Sequence, residues 1–153
     1  MPKILVTGAK GLYQKGGTTG ATGTAGTLSG HRSMVETITA AKTLDAEDSG
    51  KVFLVGTDAL TITLPATKSG LDYTFVNSGA DGGVLITISP NSSDALHGTI
   101  TLAASVVELS GTDDKDLLNT KTTANTGDMV RIVGDGNAGW YVVGSTGIWA
   151  SET

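Results

Sequence analysis

Beyond position 34 apolar and polar residues mostly alternate with a period of two rather than 3.6. In "LTITLP" the side chains of Leu60, Ile62 and Leu64 alternate with those of Thr61 and Thr63, and Pro65 ends the run. "LDYTFVNSG" places Leu71, Tyr73 and Phe75 on one side. "GVLITISPNSS" does the same with Val84, Ile86 and Ile88 before Pro90. Successive side chains of a strand point to opposite faces, so each run predicts a strand with one buried face. Both internal prolines fall just beyond a strand, where a missing donor is tolerated.

The weaker runs extend the pattern. "MVETITA", Met34 to Ala40, predicts a first strand with Val35, Thr37 and Thr39 on one face, and "KVFLV", Lys51 to Val55, is a nearly continuous apolar strand. "KTLDAEDSG" lies between them as a turn or one short helical turn, with Asp45, Glu47 and Asp48 placed to cap it. "GTITLAA" predicts a strand from Gly98 with Ile100 and Leu102 facing alike, and "SVVELSG" continues it or pairs beside it. The acidic "TDDKDLLNTKTTANTGD" reads as a solvent-facing excursion with one helical turn at most. The last stretch predicts a strand at Met129 to Val133, a glycine-rich turn at Gly134 to Gly139, a strand at Trp140 to Val143, and a short closing strand at Ile148 and Trp149. Roughly eight strands at short intervals, with no crossover helices, predict an all-β protein: a single antiparallel β-sandwich of jelly-roll-like form.

Residues 16 to 30, "GGTTGATGTAGTLSG", break the pattern. They offer no helical period and almost no anchoring side chain, so they read as extended unless a partner orders them. The predicted division is an extended N-terminal arm, residues 1–33, and a β-sandwich body, residues 34–153. A chain of 153 residues suits one such core. Twenty-two glycines, abundant threonine and 16% charged residues agree with strands and tight turns. Cysteine is absent, which removes disulfides and thiolate metal sites. No apolar run reaches membrane-spanning length, and no signal-peptide core is present, so a soluble product without a membrane partner is expected.

Charge separates the two parts more sharply. Residues 1–34 hold Lys3, Lys10, Lys15 and Arg32 and no acidic residue, a net of +4. The remainder holds six basic and fifteen acidic residues, a net of −9. A basic arm on an acidic body suits docking onto an acidic neighbour, another copy included. The negative body and the lack of basic residues interleaved with aromatics oppose direct nucleic-acid binding.

Several enzyme-like signals fail on their mechanics. "KILVTGAKG" enters a glycine turn as a dinucleotide-binding strand would, but Gln14 stands where the third glycine belongs, and a Gly/Thr tract replaces the helix whose N–H groups would meet the diphosphate. No phosphate-binding "GxxxxGK[ST]" occurs. Asp113, Asp114 and Asp116, or Asp135 with Asn137, could offer oxygens to calcium, yet neither spacing completes a known loop, so turn and solvent roles are expected. Neither His31 nor His97 stands in a nucleophile motif. Trp140 and Tyr141 should point to opposite faces, and Trp140 is expected in the core or a subunit seam. No catalytic residue, cofactor or metal ligand is therefore assigned.

The segments "AKTLDAEDSGKVFLV", "LTITLPATKSGLDYTFVNSG" and "GDMVRIVGDGNAGWYVVGSTGIW" together resemble phage capsid decoration, or cement, proteins over about residues 40 to 150; related modules occur in phage tail and fibre proteins. The resemblance implies a non-enzymatic virion protein on the outer capsid surface, made in the host cytoplasm. It implies that the major capsid protein is its partner and that it forms a homo-oligomer, expected to be a homotrimer. It further implies that the protein bridges capsomers and stabilises the head against internal pressure. The arm's Ile4, Leu5, Val6, Lys10, Leu12, Tyr13, Lys15 and Arg32 become the candidates for capsid or subunit docking. The alternative is a tail or fibre module that binds a glycan or host receptor; a lytic or depolymerising enzyme is a third class without a catalytic constellation.

Overall fold

Every strict period-two run forms a strand with one dry face. A computed structural model describes residues 34–152 in full and, of the N-terminal segment, the backbone strands β1 (Ile4–Thr7) and β2 (Gly11–Gln14). Contacts divide the chain into two units, residues 1–32 and 33–153. In the first, β1 and β2 form an antiparallel hairpin that pairs Leu5 with Tyr13 and Val6 with Leu12.

The second unit is built from short strands: β3 (Val35–Ile38), β4 (Lys42–Thr43), β5 (Val52–Val55), β6 (Leu60–Thr63), β7 (Asp72–Asn77) and β8 (Ile86–Ser89). These six form three successive rungs. The first strand of each rung enters one sheet and the second enters the other. Val35 thus pairs with Val52 and Val52 with Thr74, all parallel, while Leu60 pairs with Ile86 and Thr43 with Thr63, again parallel.

Later strands close this parallel coil. They are β9 (Ala95–His97), β10 (Thr99–Leu102), β11 (Ser105–Glu108), β12 (Leu117–Asn119), β13 (Met129–Gly134), β14 (Gly139–Thr146) and β15 (Ala150–Ser151). The six-stranded sheet runs β3-β5-β7-β13-β14-β9 and the five-stranded sheet β15-β12-β8-β6-β4, while β10 and β11 pair only with each other. β13 lies antiparallel to β7 and β14, and β12 lies antiparallel to β8 and β15.

The all-β expectation holds, but the single antiparallel sheet arrangement does not. Five of the eleven described pairings are parallel, and a jelly roll would make sheet neighbours antiparallel. The physical reason is the rung. A strand that crosses to the opposite sheet before the chain returns must pair with the strand one rung away, running the same way. The rungs also share a sequence device: Ser49-Gly50 and Ser69-Gly70 lead into β5 and β7, and both glycines have φ +83°. Pro65 and Pro90 follow β6 and β8.

One core lies between the sheets. Phe53, Tyr73, Phe75, Val130, Ile132 and Trp140 from one side meet Ile62, Ile86, Ile88 and Leu117 from the other, with Trp149 closing one end. Phe53 and Phe75 stack at 5.5 Å, and Tyr73 tilts against Trp140 at the same separation.

The turn Ala46–Asp48 forms the short helical turn expected there. Asp45 caps it through the N–H groups of Glu47 and Asp48, and Asp48 returns a contact to the Asp45 N–H at 3.3 Å. The acidic excursion, by contrast, contains strand β12, with Leu117 and Asn119 both fully buried. The closing strand also lies later than expected, at Ala150–Ser151, because Trp149 turns into the core.

Candidate interaction surface

The strand register separates two outer faces of different chemistry. On the six-stranded sheet one outward row runs Thr37, Leu54, Val76, Met129 and Thr146. A second runs Val35, Val52, Thr74, Arg131 and Gly144, and a third Asp72, Val133, Tyr141 and His97. Most of these side chains are aliphatic or aromatic. Val35, Tyr141 and Val143, the residue added by the bulge beside Arg131, are 60%, 45% and 56% exposed.

The five-stranded sheet is different, although its strands belong to the same rungs. Its outward positions are Thr43, Thr63 and Ser89 in one row and Thr61, Thr87, Leu118 and Ala150 in another. Hydroxyls dominate there. The same backbone thus carries a wettable face and an apolar one, so the apolar face is a property of the sequence and not of the fold.

Charge is nearly absent from the apolar face. The ionised side chains in its three rows are Arg131 and Asp72, on the adjacent strands β13 and β7, and they pair through Nε to Oδ1 at 3.0 Å. The Asp72 carboxylate raises the Arg131 guanidinium above its ordinary value. At one edge Tyr141 stacks on the His97 imidazole, with ring centres 4.9 Å apart.

A four-charge cluster lies beside the first rung. Glu36, on the inner face of β3, sits opposite Phe53 and accepts from Lys51 at 2.9 Å and from Lys42. Asp48 accepts from the same two lysines, and Lys42 lies 5.2 Å from the Phe53 ring centre. The two lysine contacts hold the Glu36 carboxyl below its usual range. Burial pushes Asp48 the other way, but donation from Lys51 and Lys42 outweighs it and leaves that carboxyl lowered too. Both ammonium groups are raised, Lys42 against an opposing desolvation and Lys51 chiefly by Asp48. The cluster ties β3, β4 and the Ala46–Asp48 turn together, since each member completes its partners' hydrogen bonds.

A buried amide network lies between β7 and β12. Asn77 Nδ2 donates to Asn119 Oδ1 at 2.7 Å, and Asn119 Nδ2 donates to Asp128 at 2.9 Å and to the Ile148 carbonyl. Asp128 also accepts from the Asn125 N–H. A Cβ at Gly147 would fall 1.9 Å from the Asp128 carboxylate, so the chain can pass this network only as glycine. The network ties β7 to β12, and its members satisfy one another, which is a structural arrangement rather than a reactive one.

The remaining sequence candidates resolve as follows. Ile4, Leu5 and Val6 lie in β1 and Leu12 and Tyr13 in β2, whereas Lys10, Lys15, Arg32 and His31 lie outside the described residues. The tract after Thr7 returns as strand β2, where a dinucleotide site would need a helix. Trp140 and Trp149 are both fully buried, and Tyr141 faces outward, as the alternation requires. Asp135 is lowered by the N–H groups of Asn137 and Gly139 and so serves its own turn. Among the described residues no group of three or more His, Asp or Glu side chains is placed to hold a metal ion. Sequence reasoning missed the apolar face because outward and inward positions are both apolar on β5 and β13, so alternation gives no contrast there. The signal was present in "KVFLV", where Val52 and Leu54 face outward, and in "MVRIV", where Met129 and Val133 face outward on either side of Arg131.

No protein-family model matches the chain, and no curated sequence shows significant similarity to it.

Proposed function

We propose that this chain is a structural phage protein that binds the outer capsid surface, bridges neighbouring capsomers and stabilises the head against internal pressure. Its partner in this reading is the major capsid protein, and its copies associate as a homotrimer. The observation that carries the reading is the division of the chain. The described core runs from Ile38 to Trp149 and is rich in large buried aromatics, while residues 1–32 form a separate unit with a net positive charge and its own hairpin. A body with its own core, joined by a Gly/Thr tract to a basic segment, suits a clamp: the body gives bulk and the segment gives attachment. In this role Ile4, Leu5, Val6, Leu12 and Tyr13 supply apolar contacts, and Lys10, Lys15 and Arg32 supply charge.

The test is attachment to heads. Full-length protein is expected in purified expanded heads, and deletion of residues 1–32 is expected to abolish binding while the body keeps its fold by circular dichroism. Absence from heads would reject the capsid role, and undiminished binding after the deletion would reject the arm.

One observation favours a tail or fibre module instead. The exposed Tyr141 ring, stacked on His97, is a small platform on which a sugar could stack. With both tryptophans buried that platform is a single ring pair. Glycan-array binding by the full chain that Tyr141→Ala removes would support this reading over the first.

A further inference from the structure

We propose that Glu36 and Lys42 guard the first rung of the parallel coil, so that no strand of another chain extends it beyond β3 and β4.

The edge that needs guarding is β3. Four strands border the two large sheets: β3 and β9 in one, β4 and β15 in the other. β4 and β15 have two residues each, and β9 has three and is met by Asp113 through a bridge. β3 has four residues and, among the described residues, pairs with β5 alone. The Met34 carbonyl accepts from the Val52 N–H at 2.8 Å, so the parallel pattern turns the N–H and C=O groups of Val35 and Thr37 away from β5, to the open side. A row of unpaired groups of this kind is a template for a strand of another chain.

The inner positions of the same rung oppose that addition. The rungs stack residue on residue. Glu36 occupies the place that Phe53 and Phe75 hold in the next two rungs, and Lys42 the place that Ile62 and Ile88 hold. Both apolar columns therefore end in a charge, and the two charges pair with each other. The Lys42 ammonium also lies 5.2 Å from the centre of the Phe53 ring, on which Phe75 stacks at 5.5 Å.

Glu36 and Lys42 keep 35% and 26% of their side-chain surface in water. A strand added to β3 would remove that water and set its own inward side chain beside Glu36, where an apolar residue offers the carboxylate no bond. The charge is tolerated while the edge is bare and strongly unfavourable once it is covered. Inward-pointing charge on an edge strand is one of the ways in which sheets avoid joining edge to edge.

The test removes the guard and leaves the remaining charges paired. Glu36→Val with Lys42→Leu keeps Asp48 with Lys51, so the full-length variant is expected to melt no lower than wild type. By sedimentation velocity and thioflavin T fluorescence it is expected to assemble at a concentration roughly tenfold lower than wild type. Adding Thr37→Pro, at a position whose N–H faces the open side, is expected to reverse that assembly. Thr61→Val with Thr87→Leu adds apolar surface to the outer face of the other sheet and is expected to behave as wild type. If the first pair unfolds, Glu36→Gln with Lys42→Met keeps the side-chain volumes and repeats the test. A folded guard variant that assembles no more readily than wild type would overturn the proposal. So would assembly that Thr37→Pro leaves intact or that the threonine pair matches. Unfolding of both guard variants would overturn it too, by making the cluster a requirement of the fold.

Discussion

The two tryptophans, fully buried in one core, differ in a single bond. Trp149 Nε1 donates to the Thr146 carbonyl at 2.9 Å, whereas Trp140 Nε1 is buried with no hydrogen-bond partner among the described residues. Replacing either by Phe removes similar volume, so the difference between the variants isolates the bond. Trp149→Phe should cost about 1–3 kcal/mol more than Trp140→Phe, because it loses a hydrogen bond while Trp140→Phe removes an unsatisfied buried donor; urea denaturation of both reads the difference directly. Tyr73 gives a second test. Burial, then the nearby Asp48 and Asp45 carboxylates, push its phenol up to about 12, and its hydroxyl donates to the Asp45 carbonyl at 2.6 Å. A folded value above the unfolded one of about 10 means that the contribution is fully present below about pH 10. It is lost as pH rises towards 12. Between those values Tyr73→Phe should lose stability less steeply than wild type in thermal melts. The lowered Glu36 and Asp48 act in the opposite window, present above the ordinary carboxylate range near pH 4 and lost as pH falls below it. That acid limb should be the same in Tyr73→Phe and wild type.

At the scale of elements, the residues that show a strand do not show which strand lies beside it. Leu60, Ile62 and Leu64 reveal their own buried face in the sequence, and all three are buried. Nothing in that alternation says whether β6 meets its neighbour head to tail or side by side. Direction was legible only in the repeat of Ser-Gly before β5 and β7 and of Pro after β6 and β8, a spacing set by the length of one rung. Strand β12 was hidden for another reason: Leu117-Leu118-Asn119 is short, stands among charges, and is held partly by the side chain of Asn119, whose bond to Asn77 joins residues 42 positions apart. The Asn77, Asn119 and Asp128 cluster left no local mark at all. The β10–β11 hairpin offers a prediction at this scale. Its turn residues Ala103 and Ala104 both have positive φ, 44° and 72°, the geometry of a two-residue turn that favours Asn-Gly. Ala103→Asn with Ala104→Gly relieves that strain and should raise stability by about 1 kcal/mol. A higher melting temperature checks this, and a lower one would show that the alanines are held by contacts worth more than the strain.

For the whole molecule the decisive quantity is the split of charge. The body from residue 34 onward carries a net −9, and the segment before it carries +4. In the proposed role that segment is held to an acidic surface by attraction. Raising ionic strength from about 0.02 to 0.5 M shortens the screening length from roughly 20 Å to about 4 Å, so it should weaken head binding. Co-pelleting of the full chain with heads over a salt series checks this. If binding instead tightens with salt, attachment is apolar and the charge on the segment is incidental.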